Sequence, residues 1–316
     1  MANEFIKAEK VVSTALGLLE REVVLPNLVW RDAGGDFRGA KGDTITVRLP
    51  SYFKAKKRPL RSGAPRVKSQ LTERAVPVTL TTDIYGDIPI TDEELTLDIA
   101  DFGTQVLNPT LSGVGRALEE ELVETITGAT YAHTLTLDTV DPFDTFVDAR
   151  ERLNNARVPF SGRAVAVGSA VESAILKSDH FNKVDQSGSD NALREAIVGR
   201  IAGFDVVSVP ALAPDEAFAF HQTAYVQSAM APVIPAGAPW GATQSFNGFA
   251  VRTVRVFDPD EVEDRFILDA WTGTDIVTDV GHLDPVTGIF EPAENPEESG
   301  AEEHFIRAVK IEMGSV

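Results

Sequence analysis

Hydrophobic positions along the chain follow two periods, and blocks of each mark the expected helices and strands. Val12, Leu16, Leu19 and Val23 recur at helical spacing, forming one face of a short amphipathic helix that Pro26 ends. After the Gly34-Gly35 turn, Thr44 to Leu49 alternates strictly, with Ile45, Val47 and Leu49 on one side, and stops at Pro50. The same alternation returns at Val76, Val78 and Leu80. Two strands about 25 residues apart, with no apolar periodicity between them, predict a long hairpin whose tip, Ser51 to Ala75, has few residues with which to build a core.

Helical periodicity dominates the next block. Asn108-Pro109 reads as an N-cap followed by proline in the first turn, and Leu111, Val114, Leu118, Leu122 and Ile126 follow until Gly128. Pro109 to Thr127 would be about 28 Å long. A second helix is expected from Asp141-Pro142, with Phe143, Phe146, Val147 and Leu153 on its apolar side. A third is expected from the capping box Ser169-Ala-Val-Glu172. Leu118, Leu122, Phe143 and Phe146 are assigned to the core. Strands are expected at Ala164 to Val167, Phe204 to Val209 and Phe249 to Phe257. In the last of these, alternation through Val251 resumes out of phase at Val254 and Val256, which predicts a bulge. From Asp284 to Glu303 the composition turns to Pro, Glu, Asn, Gly and Ser. Phe305 to Ile311 then reads as a strand, so the acidic stretch is expected to be a loop inside a folded unit. The whole is an α+β pattern with a protrusion that has no core of its own.

Composition removes several classes of function. With no cysteine among 316 residues there is no disulfide framework and no thiolate metal site or thiol nucleophile. No apolar run reaches the length of a membrane span, and the start carries charges of both signs, so residence in a cytoplasm is the default expectation. The net charge of −19 is unevenly placed. Asp36 to Arg74 holds eleven basic residues against three acidic ones, whereas Phe257 to Glu303 holds fifteen acidic residues and only Arg265. A chain with this asymmetry can attract copies of itself.

No catalytic signature emerges. The five histidines are scattered without metal-ligand spacing, and Asp258 to Asp264 departs from a calcium loop at Val262 and Glu263, so it reads as a solvated acidic turn. Gly34 to Gly39 has Walker spacing but carries Ala40 where a lysine is required, and no Gly-x-Ser-x-Gly elbow occurs. Lys54-Ala-Lys-Lys-Arg-Pro-Leu-Arg61 has the makings of a phosphate-binding patch. The acidic remainder opposes a dedicated nucleic-acid function, and docking of this arm on an acidic surface of a second copy is the more economical reading.

Several runs resemble the major capsid proteins of tailed bacteriophages. They are Gly42-Asp-Thr-Ile-Thr-Val-Arg-Leu-Pro50, the basic hairpin, Ile90-Thr-Asp-Glu-Glu-Leu-Thr-Leu-Asp-Ile99, the long helix, Gly199-Arg-Ile-Ala-Gly-Phe-Asp-Val-Val-Ser-Val-Pro210, Ala219-Phe-His-Gln-Thr-Ala224 and Val256-Phe-Asp-Pro-Asp260. Their order carries the likeness, over about residues 1 to 280. The resemblance implies the HK97-like fold: an N-terminal arm (1–35), an extended E-loop hairpin (36–84), a peripheral domain with a long spine helix (85–140), an axial domain (141–245), and return strands with the acidic loop (246–316). It implies a non-enzymatic subunit without cofactor or metal. Such subunits self-assemble as hexamers and pentamers into an icosahedral head around double-stranded DNA, formed in the host cytoplasm and resident in the virion. Scaffolding, portal and decoration proteins are the further implied partners; the long N-terminal extension that acts as a scaffold in some relatives is not expected here, so that a separate scaffolding protein, or none, is the expectation. An encapsulin-like shell around protein cargo is the alternative. Lys54, Lys56, Lys57, Arg58, Arg61, Arg66 and Lys68 are the expected intersubunit contacts. Lys54, Lys56 and Lys57 also stand where certain relatives carry a lysine that crosslinks to an asparagine, a reaction that further needs a carboxylate to take the proton.

Overall fold

The computed structural model describes residues 24–32, 44–49, 55–61, 65–66, 68, 74–91, 93, 103–178, 199–246, 249–261, 263–293 and 298–314. The helix expected around Val12 to Val23 and the basic residue Lys54 lie outside them. In chain order the elements begin with β1 (Trp30–Asp32), β2 (Thr44–Leu49), β3 (Arg74–Thr79), β4 (Thr82–Thr91), α1 (Asn108–Gly128), β5 (Thr134–Leu137) and α2 (Pro142–Asn155). There follow β6 (Arg163–Val167), α3 (Ser169–Lys177), β7 (Arg200–Ile201), β8 (Phe204–Ser208), β9 (Glu216–His221), β10 (Tyr225–Met230) and β11 (Trp240–Phe246). The chain ends with β12 (Phe249–Asp258), β13 (Glu263–Ile276), β14 (Asp279–Leu283), β15 (Phe290–Pro292), β16 (Glu302–His304) and β17 (Ala308–Met313).

These elements make a mixed α+β molecule. One six-stranded sheet has the order β1-β10-β13-β12-β11, with β4 paired antiparallel to β13. A second runs β5-β17-β9-β6-β8-β7. Strands β10 and β11 lie in the first sheet, and β17 from the end of the chain lies in the second. The chain therefore crosses between the sheets more often than a division by sequence order suggests.

Helix α1 joins the two. Its apolar stripe meets different partners along its length: Leu111, Val114 and Leu118 pack with Ile84, Ile90, Phe266, Leu268 and Ala270 of the first sheet. Farther on, Leu122, Val123 and Ile126 pack with Ala164, Phe218, Phe220 and Tyr225. Polar ties reinforce the same contact. Gln227 donates from Nε2 to the Leu118 carbonyl at 3.0 Å, and the Leu25 amide donates to Glu119 at 2.9 Å. Tyr131 and Tyr225 share a 2.7 Å hydroxyl contact, and burial pushes both phenols above their ordinary pKa.

Local expectations are corrected in five places. The π-helical turn Gly103–Leu107 runs straight into α1, so Leu107 in helical conformation occupies the cap position and Asn108 lies inside the helix. In α2 the buried face is Pro142, Thr145, Phe146, Ala149 and Leu153. Val147 is 42% exposed and Phe143 half-buried, because a helical stripe centred on Phe146 points Val147 about 100° away. The expected capping box of α3 does not form. Gly168 is the cap, the amides of Ala170 and Val171 donate to the Pro214 carbonyl, and Glu172 accepts from Ser208 Oγ at 2.7 Å. A Cβ at Gly168 would stand 2.1 Å from the Ala213 carbonyl oxygen, so this close backbone approach replaces the side-chain cap. Strand β12 has no bulge: its register runs unbroken from Arg252↔Asp269 to Asp258↔Glu263. Val251 and Val254 are both buried although they face opposite sides, which is what disturbs the alternation. Finally, the acidic stretch is an excursion within the fold, as expected, but not merely a loop. Strands β15 and β16 flank β14 in a three-stranded sheet, and Phe290 is buried in the second core.

Two outcomes follow for stability. Phe266→Ala, which empties a fully buried site under α1, is expected to cost about 3–5 kcal/mol in urea unfolding. Burial, aided by Arg152 and Arg307 respectively, pushes the imidazoles of His133 and His221 below their ordinary 6.5. The unfolded chain then takes up protons first, so the stability present above pH 6.5 drains away as pH falls through that value. Melting at about pH 7.5 and about pH 5.5 should show a drop that shrinks in the His133→Gln/His221→Gln variant.

Candidate assembly surface

Strands β2 and β3 pair in register from Thr44↔Thr79 to Leu49↔Arg74, the long hairpin that the two alternating runs predict. Its base is held by packing. Val76 and Val78 are buried with Val226 and Val277, and Trp30, Leu80 and Met230 pack around them, while Ala75, Pro77 and Thr79 face outward. The Thr81 amide donates to the Thr272 carbonyl at 3.1 Å. Gly273 permits this approach: a Cβ there would lie 2.1 Å from the Thr79 carbonyl oxygen.

Beyond the base, the described residues of the hairpin are exposed. Residues 55–61 are all exposed, and Leu60 retains 96% of its accessible surface. Lys56, Lys57, Arg58 and Arg61 of this segment are exposed, as are Arg66 and Lys68 farther on. Six of the seven residues expected at intersubunit contacts are thus exposed among the described residues between β2 and β3. An isolated two-stranded ribbon is marginal in water, and a run of cations at its tip repels itself, so such a segment gains order from an acidic, apolar partner.

A surface of that sign exists at the far end of the first sheet. The acidic turn singled out in the sequence joins β12 to β13, where Asp258, Glu261 and Glu263 meet Asp87 of β4 around an open depression of about 320 Å³. Arg265 is the cation there. It is bonded to Asp87, and Asp258 lies 3.8 Å from it. Sequence reading missed Asp87, which is brought in by pairing of strands 178 residues apart. The signal for β4 was present as Ile84, Ile88 and Ile90 at even spacing with Gly86 between them. Leu60, an apolar residue framed by arginines, also drew no attention among its charged neighbours.

Other charges are committed to structure. Arg252 forms a two-point pair with Asp269, which is 4% exposed, and Arg307 clasps Asp279 through bonds of 2.6 and 2.7 Å. His221 Nδ1 lies 2.8 Å from Thr223 Oγ1. Among the described residues no group of three or more His, Asp or Glu is arranged to hold a metal ion, and no helix is long and apolar enough to cross a membrane.

No protein-family model and no curated protein sequence matches the chain. Solved structures do match in fold. A capsid structure of the cyanophage P-SCSP1u aligns with a TM-score of 0.61 at 8% identity, covering 100% of this chain and 91% of that one. A chain of Mycobacterium phage Che8 aligns at 0.58 and 15% identity, over 98% and 93%. A virus-like particle from Pyrococcus furiosus aligns at 0.52 and 12% identity, over 96% and 98%. At these identities the likeness is one of fold, and it is the fold of phage capsid proteins along essentially the whole chain.

The clamp at the hairpin base is open to a direct check. Gly273→Ala, which places a methyl group against the Thr79 carbonyl, is expected to leave the cores intact while speeding amide exchange in β3 by roughly tenfold or more. Unchanged exchange in β3 would show that the close approach is not what holds the base.

Proposed function

We propose that this chain is the major capsid protein of a tailed phage, a structural rather than catalytic subunit that self-assembles into the icosahedral head enclosing double-stranded DNA. The observation that carries the reading is the hairpin. Its base is buried in a small cluster with Val226 and Val277 and the described residues of its cationic tip are exposed, a shape that makes physical sense when a neighbouring copy supplies a further surface. The capsid fold along the chain supports it. On this reading α1 is the spine helix, the first sheet with α1 forms the peripheral domain, and the second sheet with α2 and α3 forms the axial domain. The hairpin is the E-loop, and residues 1–35 form the arm. Lys54, Lys56, Lys57, Arg58, Arg61, Arg66 and Lys68 make the contacts between copies. The shell would stand in the virion after assembly in the host cytoplasm, with scaffolding, portal and decoration proteins as further partners.

Mechanistically, assembly needs no bond-making step. Long-range attraction between the basic hairpin and the acidic remainder speeds encounter, burial of apolar surface at each contact supplies affinity, and closure of a symmetric shell multiplies many modest interfaces. A shell around protein cargo would use the same physics. The phage reading is preferred because phage capsids recur among the similar folds.

Reversing Lys56, Lys57, Arg58 and Arg61 together to glutamate is expected to abolish particles in electron micrographs and light scattering, while circular dichroism shows a folded subunit. Normal shells from that variant would refute the role given to the tip.

A further inference from the structure

The turn between β14 and β15 is fastened to α2. Arg152 donates from Nη1 to the Val286 carbonyl at 3.3 Å, and Asn155 donates from Nδ2 to the Thr287 carbonyl at 3.0 Å. Within the turn, Asp284 accepts from the Val286 and Thr287 amides at 2.9 and 3.3 Å and from Thr287 Oγ1 at 2.7 Å, so its carboxylate is spent on the turn itself. Gly288, at φ +69°, lets the turn lie against both α2 and the ring of His133. A Cβ there would stand 3.0 Å from Arg152 Nη1 and 3.1 Å from His133 Nε2, which puts those two nitrogens within about 6 Å of each other.

His133 is the uncommitted member of this seat. Its Nε2 is buried and has no hydrogen-bond partner among the described residues. Few charges surround it. Arg152 of α2 acts on the ring, while Asp148 and Glu151 of the same helix are exposed. Lys310 of β17, whose amide donates to the His133 carbonyl at 3.1 Å, has its ammonium held by Glu216 and Glu312 at 2.7 and 2.6 Å. The Phe305 carbonyl accepts from the Ala132 amide at 3.4 Å, and Phe305-Ile306 brings no charge. A neutral ring fits these surroundings. An imidazolium would be a second cation beside Arg152, half out of water and with no described carboxylate bonded to it. Burial and Arg152 accordingly hold the ring below its ordinary 6.5.

We infer that the β14–β15 turn is an acid-released clasp, seated on α2 while His133 is neutral and unseated when Nε2 takes a proton. The sign follows from linkage. An unseated turn leaves the ring in water, where it protonates first, so seating is complete above about pH 6.5 and weakens as pH falls below that value. The turn carries Val286 and Ile289, which are 81% and 46% exposed, and leads into β15, whose Phe290 is buried in the second core. Among the described strands β15 pairs with β14 alone, so release frees a flap at the edge of the three-stranded sheet. The clasp goes beyond the capsid reading, and its test does not depend on that reading.

The chain has no cysteine, so Val147→Cys on α2 and Val286→Cys on the turn, both exposed, supply the only two thiols for spin labels. Double electron–electron resonance between them, with labelled chain diluted into unlabelled chain, should give one narrow distance at about pH 7.5. At about pH 5 the broad, unseated fraction should have risen roughly tenfold or more, ahead of any loss of circular dichroism. Adding His133→Gln should keep the distance narrow at both pH values. Adding His221→Gln, at a ring bonded to Thr223, should leave the response intact. A distance that stays narrow at the lower pH in the labelled chain with His133 in place overturns the clasp. Broadening that survives His133→Gln, or that comes only with loss of circular dichroism, overturns it equally.

Discussion

A two-stranded ribbon cannot hold itself in water, and this constraint organises the molecule. The hairpin β2-β3 buries Val76 and Val78 beside Val226 and Val277, while the described residues of its tip are exposed. A side chain such as Leu60, left bare in an isolated subunit, is costly by about 1.5–3 kcal/mol relative to burial. Cations crowded beside it add repulsion that a partner of opposite sign removes. The protrusion is thus a poor feature of a monomer and a good one for a subunit among copies of itself.

The rest of the fold supplies a rigid frame for that protrusion. Helix α1 is packed on the first sheet at one end and on elements of the second at the other, so the two cores cannot move independently without breaking its stripe from Leu111 to Ile126. The hairpin base is fastened next to this frame by the approach of Thr79 to Gly273. Paired guanidiniums, Arg252 of β12 with Asp269 and Arg307 ahead of β17 with Asp279, satisfy buried or half-buried carboxylates. On the proposed reading, the uneven charge of the sequence becomes a division of labour: a basic hairpin tip, and acidic ground for it to meet.

Much of this was legible in the residues. The hairpin followed from two alternating runs, the long helix from Leu111 to Ile126, and the return of the last strand from Phe305 to Ile311. What failed were caps and faces. Asn108 and Ser169 looked like N-caps, but α1 continues a preceding turn and α3 is capped by the backbone of Pro214. These are contacts that no local pattern announces. Val254 suggested a bulge because alternation assumes one buried face, whereas this sheet buries residues on both. The basic half of the candidate surface was visible as composition. Its acidic counterpart was only half visible, since Asp87 reaches Asp258 and Glu263 by pairing across most of the chain.

The central claim is that the hairpin tip completes its environment on another copy. Amide hydrogen exchange across residues 55–61, compared between assembled particles and dissociated subunits, tests it most directly. Protection should rise by about 100-fold or more on assembly, with little change in α1. Equal, fast exchange in both states would mean that the tip stays in solvent and that assembly is driven elsewhere.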